Sequence, residues 1–391
     1  MIPKGFLFST AEAAIKKPGR KDLALIYSAV MADMAGVFTT NKVKAAPVRL
    51  DMQKICSGRG QAIIVNSGNA NACTGKKGMA DAAEMAKLAA KGLGIPASLV
   101  YVSSTGVIGN PMPMERIRPK ISELAVNLGK STIDDVAAAI MTTDTFPKII
   151  RKRVKVGNRA GNITGICKGA GMINPHMATM LSFIMTDISV HQKTLDKILK
   201  ETVKRSFNRV TVDGDMSTND TVLIMANGLL GNTRITGKSV SYNAFRDSLY
   251  EVACELSRMI AKDGEGATKL VEIEVRGARS ETDAEKAAFA VANSNLVKTA
   301  IYGNDANWGR IMAALGYAGV ALREEKIDIY FGKVRIVHKG LTTGKDGMAG
   351  KVLKEKTVRI LIDLHMGKAS AKVLTCDMTE EYIRVNAAYR T

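Results

Sequence analysis

Hydrophobic positions recur with helical spacing in some stretches of the chain and alternate in others, and the two patterns interchange from end to end. Residues 80–91 are rich in alanine and predict a helix closed by Gly92, Gly94 and Pro96. Leu195, Ile198, Leu199 and Val203 share one helical face, and Phe245, Leu249, Val252, Leu256, Met259 and Ile260 mark a longer amphipathic helix ending at Gly264. Elsewhere the period is two. Val271, Ile273 and Val275 alternate with Glu272, Glu274 and Arg276, predicting a strand with one buried and one wet face. Residues 327–330 and 333–337 flank Phe331-Gly332 as a hairpin, 181–187 is strand-like, and the nearly continuous apolar run 358–364 predicts a central strand. Such interchange predicts a mixed α/β fold.

Seven segments between these elements hold more Gly, Asn and Thr than connection requires: 66–75 (NSGNANACTG), 103–109 (SSTGVIG), 142–145 (TTDT), 168–172 (KGAGM), 213–220, 263–269 and 303–310. Each alone reads as a turn. Together they predict loops lining a polar site, since function concentrates on loops held by a rigid scaffold.

Composition narrows the class. With 391 residues, 46% of them hydrophobic, the chain can bury a generous core in one large domain or two smaller ones without covalent staples. Five cysteines, an odd number with no Cys-x-x-Cys pair and no secretory start, predict reduced thiols in a cytoplasm. Four scattered histidines predict no zinc or iron site, and Asp213, Asp215 and Asp220 miss the EF-hand spacing, so no metal is expected. No run of 18 apolar residues predicts a membrane span. The net charge of +19 invites a nucleic-acid partner. Aromatics make up only 5%, however, and the densest basic stretch, 148–159, interleaves Val154 and Val156 with Arg153 and Lys155, which predicts a strand with a solvated basic face. Attraction of small carboxylate substrates, or simple solubility, explains the charge better than nucleic acid. No Gly-x-x-x-x-Gly-Lys-Ser/Thr run marks a nucleotide site.

The segment 168–181, KGAGMINPHMATML, can do more than connect. A Thr hydroxyl is a weak nucleophile without a neighbouring base. A Thr at a chain terminus carries one, because an α-amino group titrates near pH 7.7–8.0. Attack of the Thr179 hydroxyl on the carbonyl of Ala178, followed by hydrolysis of the ester, would create that terminus. The small residue at 178 and the glycines and Pro175 upstream leave room for the approach. From spacing alone, Ala178-Thr179 reads equally as an ordinary strand start. His176 precedes the bond and would leave with the first chain, which argues against a Thr–His pair.

KGAGM followed by Pro and MATML resembles the ornithine acetyltransferase family of arginine biosynthesis, bifunctional glutamate N-acetyltransferases included. The resemblance spans essentially the whole chain: FTTN at 38–41, NSGNANACTG, SSTGVIG, TTDT, DGEGATK, GNDANWGR and VNAAY at 385–389 follow in order. It implies an α/β stacked-sheet sandwich flanked by helices, laid out like the amino-terminal nucleophile hydrolases. It also implies cleavage into chains 1–178 and 179–391 that share one core and assemble two of each into a heterotetramer. Residue by residue, Thr179 matches the acetylated nucleophile, and Thr105 and Gly106 the oxyanion hole. Thr142, Lys168, Glu265, Asn386 and Thr391 match substrate contacts. Read from the residues alone, 103–109 is as well a strand-to-helix turn, Lys168 an exposed lysine, and Glu265 a loop carboxylate; Thr143 and Thr145 compete with Thr142. Arg390 departs from the family's usual ending beside Thr391. The implied reaction moves acetyl from N-acetylornithine to glutamate with no cofactor, and acetyl-CoA is a further donor open to the same intermediate. A self-processing aminopeptidase or amidase with the same nucleophile is the rival.

Overall fold

The structure is a computed structural model that describes residues 2–174 and 180–388. Ala178, Thr179, His176 and Thr391 lie outside the described residues. The chain divides into two compact units, one of Met1–Gly169, His176–Asn208 and Met216–Leu256, the other of Ala170–Pro175, Arg209–Asp215 and Ser257–Thr391.

The first unit is built on an eight-stranded sheet among the described residues. Its strands are β1 (Phe6–Ala11), β2 (Leu23–Phe38), β3 (Arg59–Asn69), β4 (Val100–Val107), β5 (Lys148–Val156), β6 (Arg159–Lys168), β7 (Leu181–Thr186) and β8 (Thr221–Ala226). They lie in the order β4-β3-β2-β8-β7-β6-β5, with β1 on the first half of β2. β3 runs parallel to β4 and β7 to β8, while the other pairs are antiparallel. Strands from both sides of position 178 therefore alternate in one ladder. Helices α1 (Ala46–Lys54), α2 (Gly75–Leu93), α3 (Met114–Val126), α4 (Ile133–Ala139), α5 (Gln192–Arg205) and α6 (Tyr242–Lys262) accompany it, α6 passing after Leu256 into the second unit. Met85 and Ala86 of α2 with Ile117, Ile121 and Leu124 of α3 bury one face of the sheet against Leu25, Ile64 and Val102. Ile133 and Val136 of α4 join Ile26, Ile63, Phe183 and Met225 in a separate core cluster.

The second unit holds β9 (Leu270–Ala278), β10 (Asp328–Phe331), β11 (Val334–His338), β12 (Leu341–Thr342), β13 (Thr357–Asp363) and β14 (Ala369–Cys376) in the order β12-β11-β10-β13-β9-β14. Its helices are α7 (Glu281–Ala292), α8 (Asn295–Tyr302), α9 (Trp308–Gly316), α10 (Asp346–Val352) and α11 (Glu380–Ala387). Alanines 284, 287 and 288 let α7 approach Ile273, Val275 and Val373, and Trp308 packs half-buried against the same core. The alternating stretch at 271–276 is β9, the hairpin is β10–β11, and the apolar run is β13, which lies inside the sheet between β10 and β9. The mixed α/β fold with two sheets flanked by helices is the one the sequence predicts.

Three expectations need correction. Residues 66–69 and 103–107 are strand ends, not loops: β3 and β4 pair in parallel through them. Across the pair Ser104 Oγ donates to Asn66 Oδ1 at 2.5 Å, while Ser67 Oγ donates to the carbonyl of Ala139 at 2.7 Å. The alanine-rich helix starts earlier, at Gly75, and runs to Leu93, with Gly94 as its left-handed cap at φ 66°. Lys148 does not belong to the solvated basic face of β5. It is fully buried, because Asp144 four residues before it turns inward to meet it.

Candidate active site

Six of the residues singled out by sequence belong to two groups, one in each unit. In the first, β4 delivers Thr105 and Gly106, the loop before β5 delivers Thr142, and the last residue of β6 is Lys168. Lys168 is almost wholly buried, and its ammonium donates to Thr142 Oγ1 at 2.7 Å and to Thr105 Oγ1 at 3.4 Å. The contact selects Thr142 as a partner of Lys168. Gly106 has φ +135°, and a Cβ there would stand 2.3 Å from the carbonyl carbon of Gly68 and 2.5 Å from the amide of Asn69. Only glycine lets the two backbones approach this closely. The result is a polar end of β4 with a hydroxyl at 105 and, at 106, a glycine pressed against the backbone of β3.

A residue missed by the sequence reading organises this group. Asp144, in the middle of TTDT, accepts from the amides of Thr142 at 3.0 Å and Gly169 at 2.7 Å. It meets the Lys148 ammonium at 2.6 Å and stands 3.8 Å from that of Lys168. Burial alone would raise its pKa. The charges of Lys168 and Lys148, with the amide of Gly169, overcome that and hold the carboxyl well below the usual carboxylate range. Asp144 thus fixes the backbone just after Lys168 and the backbone of Thr142, whose hydroxyl Lys168 bonds. An acidic residue between two threonines was the only signal, and sequence has no way to pair it with lysines 4 and 24 residues away.

Asp220 misses the EF-hand spacing and reads from sequence as a residue that orders a turn or helps to position the site. It is fully buried at the head of β8 and accepts the amide of Met180, the residue joined to Thr179, at 3.0 Å. Burial pushes its carboxyl well above the ordinary value, against the pull of that amide, the Thr39 and Ser217 hydroxyls and Lys168. β6 and β7 pair so that Lys168 faces Leu181, two residues after Thr179.

In the second unit Glu265 follows the end of α6. Its amide donates to the carbonyl of Ala170 at 2.8 Å, and its carboxylate takes the side-chain amide of Asn386 on α11 at 2.8 Å. A Cβ on Gly171 would fall 2.2 Å from Glu265 Oε2, so the second glycine of KGAGM is the floor under this carboxylate. Asp213 secures the same segment, accepting from the amides of Met172 at 2.6 Å and Ile173 at 2.8 Å; the aspartates of 213–220 order turns. Among the described residues no group of His, Cys, Asp and Glu could hold a metal ion, and no helix is long and apolar enough to cross a membrane. None of the five cysteines is joined in a disulfide.

A mixed α/β scaffold whose strand ends bury a lysine among hydroxyls and a strained glycine has the build of an enzyme. Residues 7–391 match the ArgJ family. The arginine biosynthesis bifunctional protein ArgJ of Geobacter sulfurreducens is 53% identical over 393 residues, covering all of both chains. That of Caldanaerobacter subterraneus is 50% identical and covers all of this chain and 98% of its own. The crystal structure of ArgJ from Bacillus halodurans is 42% identical with a TM-score of 0.52, over 53% of this chain and 98% of its own. The chain belongs to the ArgJ family.

Proposed function

We propose that this chain is a self-processing N-acetyltransferase of arginine biosynthesis that moves acetyl from N-acetylornithine to glutamate through an acetyl-Thr179 ester. The observation that carries the reading is the buried group at the end of β4: Lys168 against Thr142 and Thr105, beside Gly106, where only a glycine fits against β3. The α-amino group of Thr179, freed by cleavage after Ala178, takes the hydroxyl proton as Oγ attacks the acetyl carbonyl. Thr105 and Gly106 hold the developing oxyanion. Ornithine leaves with the proton, and the amine of glutamate then attacks the ester and departs as N-acetylglutamate. Lys168 and Thr142 receive the substrate carboxylate, and Glu265, Asn386 and Thr391 serve as further substrate contacts, Glu265 for an ammonium. No step calls on a metal or redox cofactor.

Two further observations support processing. β7 and β8 lie hydrogen-bonded between β2 and β6, so chains 1–178 and 179–391 would remain in one sheet after a cut; two copies of each form the proposed heterotetramer. The Bacillus halodurans polypeptide is matched over nearly its full length by 53% of this chain, about what a separate second chain would cover. A small-molecule substrate, with no nucleic-acid partner, and a cytoplasmic location complete the reading.

Intact mass of wild type beside Thr179→Ala tests it. Wild type is expected as two chains, the second starting at Thr179, and the variant as one uncut, inactive chain. A single uncut wild-type chain that transfers acetyl refutes the amino-terminal base. Hydrolysis of N-acetylornithine outrunning transfer to glutamate would make the protein the rival amidase.

A further inference from the structure

Asp220 is a buried titratable group of the first unit, bonded to the residue that follows Thr179, and no step of acetyl transfer uses it. The residue is 0% exposed. Its Oδ1 takes the Met180 amide at 3.0 Å, and the next residue, Thr221, gives its own amide to the Met180 carbonyl at 3.1 Å. Met180 is thereby held from both sides where the chain enters β7. Asp220 is fixed in turn by its carbonyl, which accepts from the amide of Thr39 at 3.0 Å. Its Oδ2 is buried and has no hydrogen-bond partner among the described residues. Buried polar atoms are almost always paired, so one that is not marks a strain reservoir or a group with a chemical task.

The charged group that acts on Asp220 is Lys168 of β6; Thr39 after β2, Ser217 before β8 and the Met180 amide before β7 are neutral. Burial outweighs them all and favours the protonated carboxyl. The nearby side chains are committed elsewhere. Thr39 Oγ1 donates to the carbonyl of Ser217 at 2.8 Å, and Ser217 Oγ accepts the amide of Asn219 at 3.0 Å. Lys168, opposite Leu181 in the ladder, directs its ammonium to Thr142 and Thr105. Met180 and Leu181 are each 1% exposed, so bulk water is kept from the start of β7.

We propose that Asp220 serves self-cleavage: Oδ1 positions the Met180 amide, and the proton on Oδ2 goes to the Thr179 nitrogen as its bond to Ala178 breaks. The inference rests on the self-processing reading above. The Thr179 and Met180 nitrogens are joined through one Cα and one carbonyl carbon, so they lie no more than about 4 Å apart. Attack on an amide goes forward only if the leaving nitrogen is protonated, because an amide anion is too basic to depart. Thr179 Oγ bonds the Ala178 carbonyl carbon, the C–N bond breaks and the nitrogen takes the Asp220 proton. The hydroxyl proton replaces it on Asp220, which ends the shift unchanged. Water then adds its OH to the same carbon and its other hydrogen to Thr179 Oγ, opening the ester. Burial suits the step, since a solvated carboxyl is ionised at neutral pH and has no proton to give.

Full-length precursor from cell-free synthesis, followed on gels as it splits, tests the assignment. Asp220→Asn keeps an oxygen for the Met180 amide but has no acidic proton. It is expected to split at least about 100-fold more slowly than wild type, the usual contribution of a general acid. Its uncut chain should melt within about 3 °C of uncut Thr179→Ala, which separates lost proton transfer from lost folding. The wild-type rate should fall as the pH is raised and Asp220 loses its proton, whereas the residual rate of the variant should show no such fall. A variant that splits as fast as wild type, or a wild-type rate that does not fall with rising pH, would overturn the proposal. Wild type that never splits before Thr179 would sink the self-processing reading along with it, an outcome distinct from the other two.

Discussion

Replacing Asp144 by Asn removes the one carboxylate that meets both buried lysines. At 2.6 Å from Lys148 and 3.8 Å from Lys168, its gross attraction is about 6 and about 4 kcal/mol at an effective dielectric constant of 20. The protein does not lose that sum, because a buried ammonium deprived of this carboxylate can shed its proton. Neutralising one lysine at pH 7 costs about 4.6 kcal/mol against an ordinary pKa near 10.4. The expected loss is therefore about 3–5 kcal/mol, the usual result of breaking a buried pair from one side. At roughly 2–4 °C per kcal/mol for domains of this size, the melting temperature should fall by about 6–20 °C. Raising the pH eases the variant, since deprotonation of lysine then costs less. Wild type behaves differently. A depressed carboxyl pKa contributes stability that is complete above the unfolded value near 3.9 and is lost only as pH falls through the lower folded value. Its Asp144 contribution should thus be flat from pH 8 to about 5. Thermal melts of wild type, Asp144→Asn and Asp144→Asn/Lys148→Met measure all of this, and the double variant should recover part of the loss. A single-variant shift under about 2 °C, or no recovery in the double, refutes the argument.

Thr105→Val keeps the shape of the side chain and removes its hydroxyl; kcat for acetyl transfer should drop about 10²–10³-fold with melting unchanged, read by single-turnover formation of the acetyl-enzyme. Gly106→Ala drives a Cβ into the backbone of Gly68 and Asn69, and should cost both activity and about 1–3 kcal/mol of stability in denaturant melts. Gly171→Ala displaces only the Glu265 carboxylate, so its kinetic defect should match that of Glu265→Gln while melting shifts by less than about 2 °C.

Elements whose side chains repeat with one period were legible in the sequence. The amphipathic α6, the alternating β9, the β10–β11 hairpin and the interior strand β13 all follow from local spacing, because burial on one face imposes a period of 3.6 or 2. Motif identity went further and pointed to Thr105, Gly106, Thr142, Lys168, Glu265 and Asn386, although spacing alone left each with an ordinary alternative. What resisted was pairing across distance. The NSGN and SSTG stretches look like loops because their residues are small and polar; parallel pairing of β3 with β4 makes them strands, with Ser104 bonded to Asn66 across the pair. Lys148 reads as one more surface cation until Asp144 folds in to meet it. Electrostatics explains the gap. A charge in the sequence carries no mark of its dielectric surroundings, and whether it stays solvated, becomes paired or shifts its pKa is decided only when the tertiary structure removes water and chooses its neighbours.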